Sequence, residues 1–563
     1  LKHLLKQRDL DKKVQCVDET ISKFDNITII SSFENNEKNT IEGEIIVTLS
    51  NGETLLFKVN IQSQYPYDCV ESESIQFINK GLKEYPHVME NGRICIHTSH
   101  ETDINKKLAN DFYSLLEWAE KFIVRKEKDE HYEHIVIPSS KLIKEGELKK
   151  VFYFTDTEYK FSSYQYGFFY YVPMSNSRDF FSSVSNNVII DFYRDNKSIA
   201  SSKWSKSFIS KGADYKFKKG IYITCPSPPS NGKFGYQKWD SFEKIIHPKQ
   251  KEFIYNVFQE QKKNKVKELP LLIGYNLPKN QFHWQVVIMK LDEPPILEIH
   301  HIQLFSSRII KWGETENCSY EYFFGRGILS KQITQAKILV IGVGAVGSIL
   351  ATTLVRGGAV NLTLCDYDIK KPENVCRSEY CFTKGNNVKI IELKEKLLAI
   401  SPFVDIELMD PLYWETKVKS NFWSDQYSED ENKILEELHK YDFIIDCSTD
   451  NSLMHIIDKI NLTNIITISI TNKAKGLVCA CTPKNYKWVM NQYQNIIEND
   501  TSDMYNPTGC WSPTFKASYN DIQTLVQYAI KQLNYKLEKG YPLSNFTLEI
   551  EENNNIEIKL KEY

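Results

Sequence analysis

The sequence of 563 residues lacks long apolar runs, an export signal and an excess of charge of either sign. No stretch approaches about 18 uninterrupted apolar residues, so a transmembrane helix is not expected. The first residues, LKHLLKQRDLDKK, carry too many charges for a signal-peptide core, which predicts a cytoplasmic protein without a membrane partner. The 70 basic and 73 acidic side chains give a net charge of −3, so there is no general basic field for nucleic acid, although a local patch stays open.

Cysteine is also sparse, with 12 thiols spread over the chain. This density is too low for a disulfide scaffold, and we expect the thiols to be reduced and available for packing, metal binding or catalysis. A zinc site would need paired Cys-x-x-Cys motifs. Cys376 and Cys381 are separated by four residues, and Cys479 and Cys481 by one, so the spacing does not favour zinc.

The length predicts about two to four domains, because one hydrophobic core does not grow to this size. Residues 1–135 contain an amphipathic helix, three strand-like runs, a long loop and a second helix, which predicts an α+β domain. Residues 136–325 are rich in Tyr, Phe and Ser, which favours strands, and we interpret them as a linking middle domain without a chemical motif. Strands alternate with helices in residues 326–563, which predicts a doubly wound, Rossmann-like domain. The predicted class is a multidomain α/β protein.

The strongest chemical signal is the segment KILVIGVGAVGS, in which an apolar strand leads through three glycines into a helix. Gly342 permits the tight turn, Gly344 lets a phosphate approach the backbone, and Gly347 lets helix and strand pack closely. The helix N-terminus offers free N–H groups and a positive dipole end to an anion. Asp366 ends the next strand, where a carboxylate can bond ribose hydroxyls. This context predicts a nucleotide-binding site.

The residues that follow indicate which nucleotide binds. A second acid, Asp368, is followed by Asn374 and Arg377 in the segment DYDIKKPENVCRSEY. Lys389 opens the following helix, and Asp450 comes after a further strand, in DFIIDCSTDN. Mg²⁺ takes one or two carboxylates together with phosphate oxygens, and cations stabilise the charge that develops at an attacked phosphorus. The pattern therefore favours ATP with Mg²⁺ over a nicotinamide cofactor, which needs no second acid.

Four segments in this order, GVGAVGS, CDYDIKKPENVCR, VKIIELK and CSTDN, resemble the adenylation domain of ubiquitin-activating enzymes and their ThiF-like bacterial relatives. The resemblance covers residues 326–563. It implies that ATP adenylates the C-terminal carboxylate of a partner protein, that pyrophosphate is released, and that this domain forms a homodimer. The roles that it assigns are ribose contacts for Asp366, phosphate contacts for Asn374, phosphate contacts and charge stabilisation for Arg377 and Lys389, and a metal contact for Asp450.

Two departures from the family pattern leave roles open. The loop DCSTDN is one residue longer than the usual DCTDN, so Asp446 and Asp450 are both candidates for the metal ligand. The paired zinc cysteines of many relatives are absent from the sequence. Arg326, which precedes the first strand, is a candidate for the arginine that such dimers contribute across their interface, although an arginine at a domain edge is usually only solvated.

Cys510 is the candidate nucleophile of the C-terminal region. An acyl-adenylate is short-lived in water, and transfer to a partly exposed, partly ionised thiol stores the acyl group as a thioester. Cys510 follows a glycine in the proline-punctuated loop NPTGCWSPTFKAS, just before a predicted helix. That position suits a nucleophile better than the strand positions of Cys365 and Cys447. The alternative is a buried structural thiol.

A second thiol, Cys95, lies in the segment YPHVMENGRICIHTSH. The order of elements in residues 1–135, a Tyr-Pro dipeptide, NGRICI and a later helix that contains Trp118 resemble a ubiquitin-conjugating domain. The resemblance places Cys95 at the position of the thioester cysteine. The family's His-Pro-Asn reads Tyr-Pro-His here, so His87 is the candidate donor of the oxyanion hydrogen bond that the asparagine normally supplies, unless the chemistry differs.

Residues near Cys95 leave further choices. His97 and His100 would adjust the pKa of the thiol if they faced it, but exposed loop histidines are the simpler interpretation. Cys69, in the segment YPYDCV, is a rival thiol. It matches no position of the conjugating motif, so Cys95 is preferred.

A conjugating domain ahead of an activating domain in one chain is similar to the CD-NTase-associated conjugation enzymes of CBASS anti-phage operons. The resemblance implies that a cGAS-like nucleotidyltransferase is the partner whose C-terminus is activated, and that the acceptor bears a lysine amine. We therefore expect a relay in which ATP adenylates the partner, Cys510 takes the acyl group, Cys95 receives it, and an amine releases it as an amide. One chain that holds both thiols raises the effective concentration for the transfer.

Three other functions stay open from the sequence. A sulfur-carrier adenylyltransferase would share the adenylation step but would need no Cys95 domain. A nicotinamide dehydrogenase would turn over NAD and ignore ATP–pyrophosphate exchange, and Asn374 and Arg377 argue against it. A non-catalytic scaffold would lose no function when Cys95 or Cys510 is replaced by alanine.

Overall fold

The structure, a computed structural model, describes most of the chain, but Cys69, His97 and Cys510 lie outside the described residues. Within the described ranges, no helix combines the length and the apolar character that a bilayer span requires. These ranges are 2–36, 40–67, 73–96, 98–127, 149–174, 177–178, 183–212, 217–231, 234–277, 281–291, 296–298, 301–304, 308–422, 429–460, 462–481, 483, 485–496 and 516–563.

The N-terminal region is a four-stranded antiparallel sheet with a helix before and after it. Its elements are α1 (Lys2–Ile21), β1 (Ile27–Asn35), β2 (Ile41–Thr48), β3 (Thr54–Ile61), β4 (Ile75–Ile78) and α2 (Ile104–Ala119). The strands lie in sequence order, and Gly52, with φ +85°, forms the turn between β2 and β3 that the Asn-Gly dipeptide predicts. Val17 of α1 and Phe112 of α2 share a core with Phe57 of β3. The order of helix, meander, loop and helix agrees with the sequence analysis.

The middle region is a mixed sheet, in agreement with the predicted β-rich character. In the main sheet the strand order is β14-β13-β10-β6-β8-β5-β17, and β7 and β9 also pair with β8. The elements of this region are β5 (Lys149–Phe154), β6 (Tyr166–Pro173), β7 (Ser177–Arg178), β8 (Ser183–Arg194), β9 (Lys197–Ser201), α3 (Lys206–Gly212), β10 (Lys218–Thr224), β11 (Ser230–Asn231), β12 (Phe234–Gly235), α4 (Trp239–Phe242), α5 (Pro248–Lys263), β13 (Glu268–Asn276), β14 (Phe282–Lys290), β15 (Ile296–Glu298), β16 (His301–Gln303), β17 (Glu314–Asn317) and α6 (Tyr320–Phe324).

Helix α5 interrupts this sheet region, where the sequence analysis expected strands. It begins with Pro248, a residue suited to the first helical turn, because its missing N–H would have no partner there. The N–H of the preceding His247 donates to the side chain of Gln250 at 3.0 Å, and the His247 ring accepts from the N–H of Lys249 at 3.2 Å. Ile254 and its apolar neighbours on the buried face pack against the sheet. Helix α5 therefore forms because both its cap and its apolar face are satisfied.

The C-terminal region is the predicted doubly wound α/β domain. Its eight strands lie in the order β22-β19-β18-β23-β24-β25-β26-β27; the first five are parallel, and the last three continue the sheet antiparallel, which the alternation of strands and helices did not predict. The elements are α7 (Lys331–Thr334), β18 (Lys337–Ile341), α8 (Ala345–Arg356), β19 (Asn361–Cys365), β20 (Ile369–Lys370), β21 (Asn387–Val388), α9 (Lys389–Ile400), β22 (Asp405–Leu408), α10 (Ser420–Phe422), α11 (Glu429–Leu438), β23 (Phe443–Asp446), α12 (Asn451–Ile460), β24 (Ile465–Ile470), β25 (Gly476–Ala480), α13 (Tyr486–Ile496), α14 (Tyr519–Lys539), β26 (Phe546–Glu552) and β27 (Ile556–Glu562).

The middle sheet contacts the regions on both sides of it. Toward the C-terminal region, the ring centroids of Trp204 and Phe403 lie 5.6 Å apart, and the N–H of Ser205 donates to the carbonyl oxygen of Pro402 at 2.9 Å. Toward the N-terminal region, the side-chain amide of Gln237 donates to Glu90 at 2.9 Å. The three regions are thus joined by direct contacts as well as by the chain.

Candidate active site

The glycine turn joins β18 to α8 at the sheet edge where the parallel strands end. Gly342 has φ +76°, and a Cβ atom there would lie 2.6 Å from the Cα atom of Ser448, so only glycine fits. At Gly347 a Cβ atom would lie 2.0 Å from the carbonyl oxygen of Gly342, because helix and strand pack closely. Among the described residues, no atom outside the turn lies within 4 Å of the Cβ position of Gly344, which precedes α8. Its backbone is open to a ligand.

A cavity of about 960 Å³ lies beside this turn. The volume is in the range of pockets for small molecules and cofactors. Gly347 lies beneath the turn rather than in the cavity wall, and the wall also includes Trp414, Met490 and Tyr493, which the sequence analysis did not anticipate. Eight of the residues predicted to bind the nucleotide or the metal line the cavity: Gly342, Gly344, Asp366, Asp368, Asn374, Arg377, Lys389 and Asp450.

Asp366 follows β19 and holds the glycine turn in place. Its Oδ2 atom accepts a hydrogen bond from the N–H of Val343, and its Oδ1 atom accepts one from the N–H of Asp368, both at 2.8 Å. Burial raises the pKa of Asp366, although the charge of Lys389 and these N–H donors act in the opposite direction. The buried hydroxyl of Tyr380 donates to the carbonyl oxygen of Val343. The carboxylate predicted to contact ribose therefore also shapes the glycine turn.

Lys389 reaches the cavity because two short strands pair. The ladder between β20 and β21 brings the start of α9 next to Asp368. The Nζ atom of Lys389 lies 2.7 Å from Oδ2 of Asp368, and the lysine side chain is 10% exposed. Asn374 and the half-buried Arg377 belong to the 3₁₀-helical segment Pro372–Arg377, which lines the same cavity. Two cationic side chains and one amide thus surround the space beside the turn.

The structure separates the two candidate metal ligands. Asp446 is fully buried at the end of β23, where its Oδ1 atom accepts hydrogen bonds from the N–H and the hydroxyl of Ser448 at 2.9 and 2.7 Å. Burial raises the pKa of Asp446 to about 6. Asp450 lies in the cavity wall. Burial opposes its ionisation, but hydrogen bonds from Lys419 and from the N–H groups of α12 hold its pKa below the ordinary value. Of the two, Asp450 offers the cavity an ionised carboxylate.

The donor set at the cavity fits Mg²⁺. Across the part of the chain that the structure describes, no group of three or more His, Cys, Asp and Glu side chains forms a complete protein-built metal site. Mg²⁺ does not require one, because it is usually held by one or two carboxylates and by phosphate oxygens of a substrate. Asp450 provides one carboxylate, and Glu415 provides a second in the same cavity wall.

Lys419 is a residue of this site that the sequence analysis missed. It ends the helical turn Tyr413–Lys419, and its Nζ atom lies 2.6 Å from Oδ2 of Asp450 and 2.6 Å from Oε1 of Glu415. Burial lowers the pKa of Lys419, but the hydrogen bonds with the two carboxylates outweigh it and raise the pKa overall. Lys419 and Asp450 are 31 residues apart, and no motif links them, so the sequence contains no signal for this contact.

Cys95 is half-buried in a loop that backbone and aromatic contacts hold against the following helix. Its N–H donates to the carbonyl oxygen of His87 at 2.7 Å, so the predicted thiol and histidine lie on adjacent stretches of chain. The His87 ring lies 5.6 Å from the ring of Phe122, centroid to centroid. The indole N–H of Trp118 donates to the carbonyl oxygen of Pro86 at 2.9 Å. These contacts anchor the Tyr-Pro-His stretch to α2 and its continuation.

A buried polar network supports the chain just after Cys95, and the sequence analysis did not find it. Asp111 of α2 accepts hydrogen bonds from the hydroxyl of Tyr65 at 2.9 Å and from the hydroxyl of Thr98 at 2.5 Å. The ammonium of Lys107 lies 2.5 Å from the same carboxylate, whose residue is 1% exposed. Because Thr98 follows Cys95 by three residues, this network sets the path of the thiol's loop.

Two other candidates, Arg326 and His100, fall outside both sites. Arg326 lines a second cavity of about 1,310 Å³, next to the middle sheet. His100 is exposed, and its ring lies 5.9 Å from that of Tyr67, as expected for a loop histidine. Cys365 and Cys447 border the cavity beside the glycine turn, but both are buried. Burial raises the pKa of both thiols, to about 12 for Cys365. Neither strand cysteine has the exposure that a nucleophile needs.

Comparison with known proteins identifies the C-terminal region. The sequence profile of the ThiF family matches residues 319–502. Over 230 residues, 39% of this chain and 36% of the relative, the chain is 25% identical to the ATP-dependent ubiquitin transferase-like protein Cap2 of Enterobacter hormaechei subsp. hoffmannii. Over 130 residues, 23% of this chain and 47% of the relative, it is 25% identical to the molybdopterin-synthase adenylyltransferase of Haemophilus influenzae. The chain thus spans less than half the length of either relative.

Solved structures are more distant. The crystal structure of E. coli MccB with AMPCPP and MccA is 13% identical, covers 41% of this chain and 64% of that chain, and has a TM-score of 0.28, which is too low to support an inference. The ThiF match instead rests on sequence, and it spans the glycine turn, the acidic segment and the CSTDN loop. The resemblance to ThiF-like conjugation enzymes is thereby confirmed: residues 319–502 match the ThiF family, in a chain that is similar to Cap2.

Proposed function

We propose that the chain uses ATP to adenylate the C-terminal carboxylate of a partner protein, carries the acyl group as a thioester on Cys510 and then on Cys95, and transfers it to an amine of a target. The observation that carries this proposal is the convergence of eight residues, chosen from sequence motifs, on one cavity beside the glycine turn. The ThiF match and the similarity to Cap2 support adenylation as the first step.

In the adenylation step, a carboxylate oxygen of the partner attacks the α-phosphorus of ATP, the bond from that phosphorus to its bridging oxygen breaks, and pyrophosphate leaves. Free N–H groups at the start of α8 bind phosphate oxygens next to Gly344. Lys389 and Arg377 stabilise the negative charge as it moves to the leaving group, and Asp366 bonds the ribose. Asp450 would hold Mg²⁺, which would supply further positive charge next to the phosphates.

The transfer steps keep the acyl group activated until an amine arrives. The thiolate of Cys510 attacks the acyl carbon, the carbon–oxygen bond to the phosphate breaks, and AMP leaves. The thiolate of Cys95 then attacks the same carbon and displaces the thiolate of Cys510. Finally, an amine nitrogen attacks, loses a proton and displaces the thiolate of Cys95, which leaves an amide. His87 is the proposed hydrogen-bond donor to the oxyanion of this last step.

The proposed partners follow from the sequence resemblance and the similarity to Cap2. The activated protein is a cGAS-like nucleotidyltransferase with a free C-terminus, and the acceptor bears a lysine amine. The ThiF domain pairs with a second copy of itself, and Arg326 is the candidate arginine that one copy contributes to the other. These assignments extend beyond the adenylation chemistry, and each requires its own test.

The relay is tested by incubation of the full chain with ATP, Mg²⁺ and the candidate partner, followed by non-reducing and reducing gels. We expect a thiol-sensitive adduct with the wild type, an adduct that stays on Cys510 in Cys95→Ala, and no adduct in Cys510→Ala although pyrophosphate exchange continues. Cys381→Ala removes an exposed thiol that the relay does not use, and it serves as the matched control. If the wild type exchanges no pyrophosphate with any product of the neighbouring genes, the proposal is wrong.

A sulfur-carrier adenylyltransferase is the second candidate, because the chain is also similar to a molybdopterin-synthase adenylyltransferase. Both functions predict pyrophosphate exchange, but only the relay needs Cys95. If Cys95→Ala yields the final product at the wild-type rate, the sulfur-carrier function is favoured. The ThiF match argues against a nicotinamide dehydrogenase, which would not exchange pyrophosphate.

A further inference from the structure

Glu415, Lys419 and Asp450 form a row of alternating charge at the nucleotide cavity. The ammonium of Lys419 contacts both carboxylates at 2.6 Å. The side chains of Lys419 and Asp450 are 14% and 30% exposed, so solvent screens this pair less than it screens a surface pair. A persistent positive charge therefore already lies next to the candidate metal ligand.

Both carboxylate oxygens of Asp450 have partners. Oδ1 accepts hydrogen bonds from the N–H of Ser452 at 2.8 Å and from the N–H of Leu453 at 3.1 Å, which caps α12. Oδ2 accepts the hydrogen bond from Lys419. A cation that approaches Oδ2 of Asp450 therefore meets the ammonium of Lys419, and one that approaches Oδ1 meets the N–H donors of the helix cap.

We propose that Lys419 occupies the position of the metal cation at Asp450, so that a free divalent cation binds poorly and the metal enters together with the nucleotide. This inference rests on the proposed function, because adenylation is the reason to assign Asp450 to the metal. Two cations held at one carboxylate oxygen repel each other strongly in a partly buried site. The phosphate oxygens of ATP add the negative charge that favours the metal over the ammonium.

Glu415 gives the displaced ammonium another partner. It lies in the same cavity wall and already contacts Lys419, so the lysine can move from Asp450 without losing its ion pair. Lys419 is thus a positioning residue. It holds Asp450 in its cavity-facing orientation while the nucleotide is absent, and it makes metal binding depend on ATP.

The test is a titration of the full, nucleotide-free chain with Mn²⁺, in which EPR measures the free metal. We expect Lys419→Met to bind Mn²⁺ roughly tenfold more tightly than the wild type, as for the loss of a competing, partly buried ion-pair partner. The gain should disappear in the double variant Lys419→Met, Asp450→Asn. Lys417→Met is the matched control: Lys417 is exposed over the ring of Tyr413, and its loss removes the same charge from the same helical turn. It should bind Mn²⁺ like the wild type.

A second variant, Lys419→Gln, keeps a polar group beside Asp450 and removes only the charge. It should show the same gain in Mn²⁺ affinity, and it provides the test if Lys419→Met misfolds. Equal Mn²⁺ affinities of the wild type and both Lys419 variants, all with the wild-type melting temperature, would overturn the inference. A gain that survives Asp450→Asn would also overturn it. Because ATP is absent from the titration, failure here leaves pyrophosphate exchange intact, whereas failure of the proposed function abolishes exchange in the wild type.

Discussion

The cavity beside the glycine turn, which we propose binds the nucleotide, and the Cys95 loop are built in different ways. Five of the predicted cavity residues directly follow β18, β19 and β23, three neighbouring parallel strands: Gly342, Gly344, Asp366, Asp368 and Asp450. The carboxyl ends of parallel strands lie at one edge of a sheet, so residues that follow successive strands meet there by topology alone. The supports of the Cys95 loop come from distant parts of the chain: Trp118 lies 32 residues from Pro86, and Asp111 lies 46 residues from Tyr65. The first site follows from local motifs, and the second depends on tertiary packing.

The two regions also place charge differently. At the cavity, Lys389 pairs with Asp368, whose side chain is 54% exposed. In the N-terminal region, the side chains of Lys107 and Asp111 are 10% and 2% exposed. Charges at the cavity remain accessible to a ligand, whereas Lys107 and Asp111 neutralise each other's charge inside the fold. Substitutions should therefore change ligand binding in one region and stability in the other.

The largest expected effect is on stability in the N-terminal region. Asp111→Ala leaves the buried ammonium of Lys107 without its carboxylate and the hydroxyls of Tyr65 and Thr98 without their acceptor. We expect the free energy of unfolding of this region to fall by about 3–5 kcal/mol, the usual result of breaking a buried pair. Amide hydrogen exchange of β2 and β3, followed by mass spectrometry, measures the change without requiring two-state unfolding of the whole chain.

The matched control is Glu395→Ala, which breaks the exposed pair with Lys384 in the C-terminal region. It should leave hydrogen exchange unchanged in both regions. Pyrophosphate exchange by Asp111→Ala should also stay at the wild-type level, because the nucleotide cavity does not depend on this network. If Asp111→Ala also lost pyrophosphate exchange, the two regions would be coupled. The contrast between a stability effect in one region and a binding effect in the other would then be wrong.

Two glycines of the glycine turn give the next effect and sharpen the comparison within one motif. In Gly347→Ala the new Cβ atom would meet a backbone oxygen at 2.0 Å, so we expect the C-terminal region to lose at least about 2 kcal/mol of stability and to bind ATP poorly. In Gly344→Ala the methyl group enters open space beside α8, so the melting temperature should stay unchanged while ATP binding weakens. Thermal unfolding and ATP titration of both variants separate the packing role of Gly347 from the ligand-access role of Gly344. Equal losses of stability and of ATP binding in the two variants would contradict this assignment.

The motif content of the two regions explains how much of each site could be predicted. The turn needs a glycine at position 342 and the site needs a carboxylate at position 366. Both requirements appear in the sequence as residue types at a fixed spacing, so Gly342 and Asp366 could be predicted. Lys419 and Tyr380 could not be found this way, because they contact Asp450 and Val343 across 31 and 37 residues. Only the folded chain brings such pairs together.

The fold shows where composition outweighs local signals. Pro248 and Gln250 mark the start of α5, yet the aromatic-rich segment around them favoured strands. The alternation of strands and helices predicted the parallel part of the C-terminal sheet but not β25, β26 and β27, which pair antiparallel after the last predicted strand. A strand–helix–strand alternation predicts parallel strands joined by crossover helices. Antiparallel strands that extend a sheet depend instead on hydrogen bonding to the strand at its edge, which the alternation does not show.

The third expected effect depends on pH and concerns a buried carboxyl of the C-terminal region. Asp446 accepts hydrogen bonds from Ser448, and no ion pair joins it to another described residue. Its pKa is raised to about 6 in the folded chain, above the unfolded value of about 3.9. The folded state therefore holds the proton more tightly, so this contribution to stability is complete below about pH 4 and is lost as the pH rises through about 6.

Asp446→Asn keeps an oxygen acceptor for Ser448 and removes the titration. We expect its unfolding free energy to lack the decline of the wild type between about pH 4 and pH 6, a difference on the order of 2 kcal/mol. Denaturant unfolding of both proteins across this pH range, monitored in the C-terminal region, measures it. Parallel profiles would show that Asp446 does not titrate in this range.

The smallest expected effect tests whether the Cys95 loop depends on packing at a distance. Trp118→Phe keeps an aromatic ring but removes the indole N–H that donates to Pro86, a loss of about 1 kcal/mol. Because that bond anchors the stretch that carries His87, we expect slower discharge of the Cys95 thioester to an amine and unchanged pyrophosphate exchange. Trp204→Phe is the matched control, since it removes a comparable bond to the carbonyl oxygen of Ile189 in the middle region. Single-turnover discharge assays compare them; equal slowing by both would mean that general stability, rather than the anchored loop, governs the thiol.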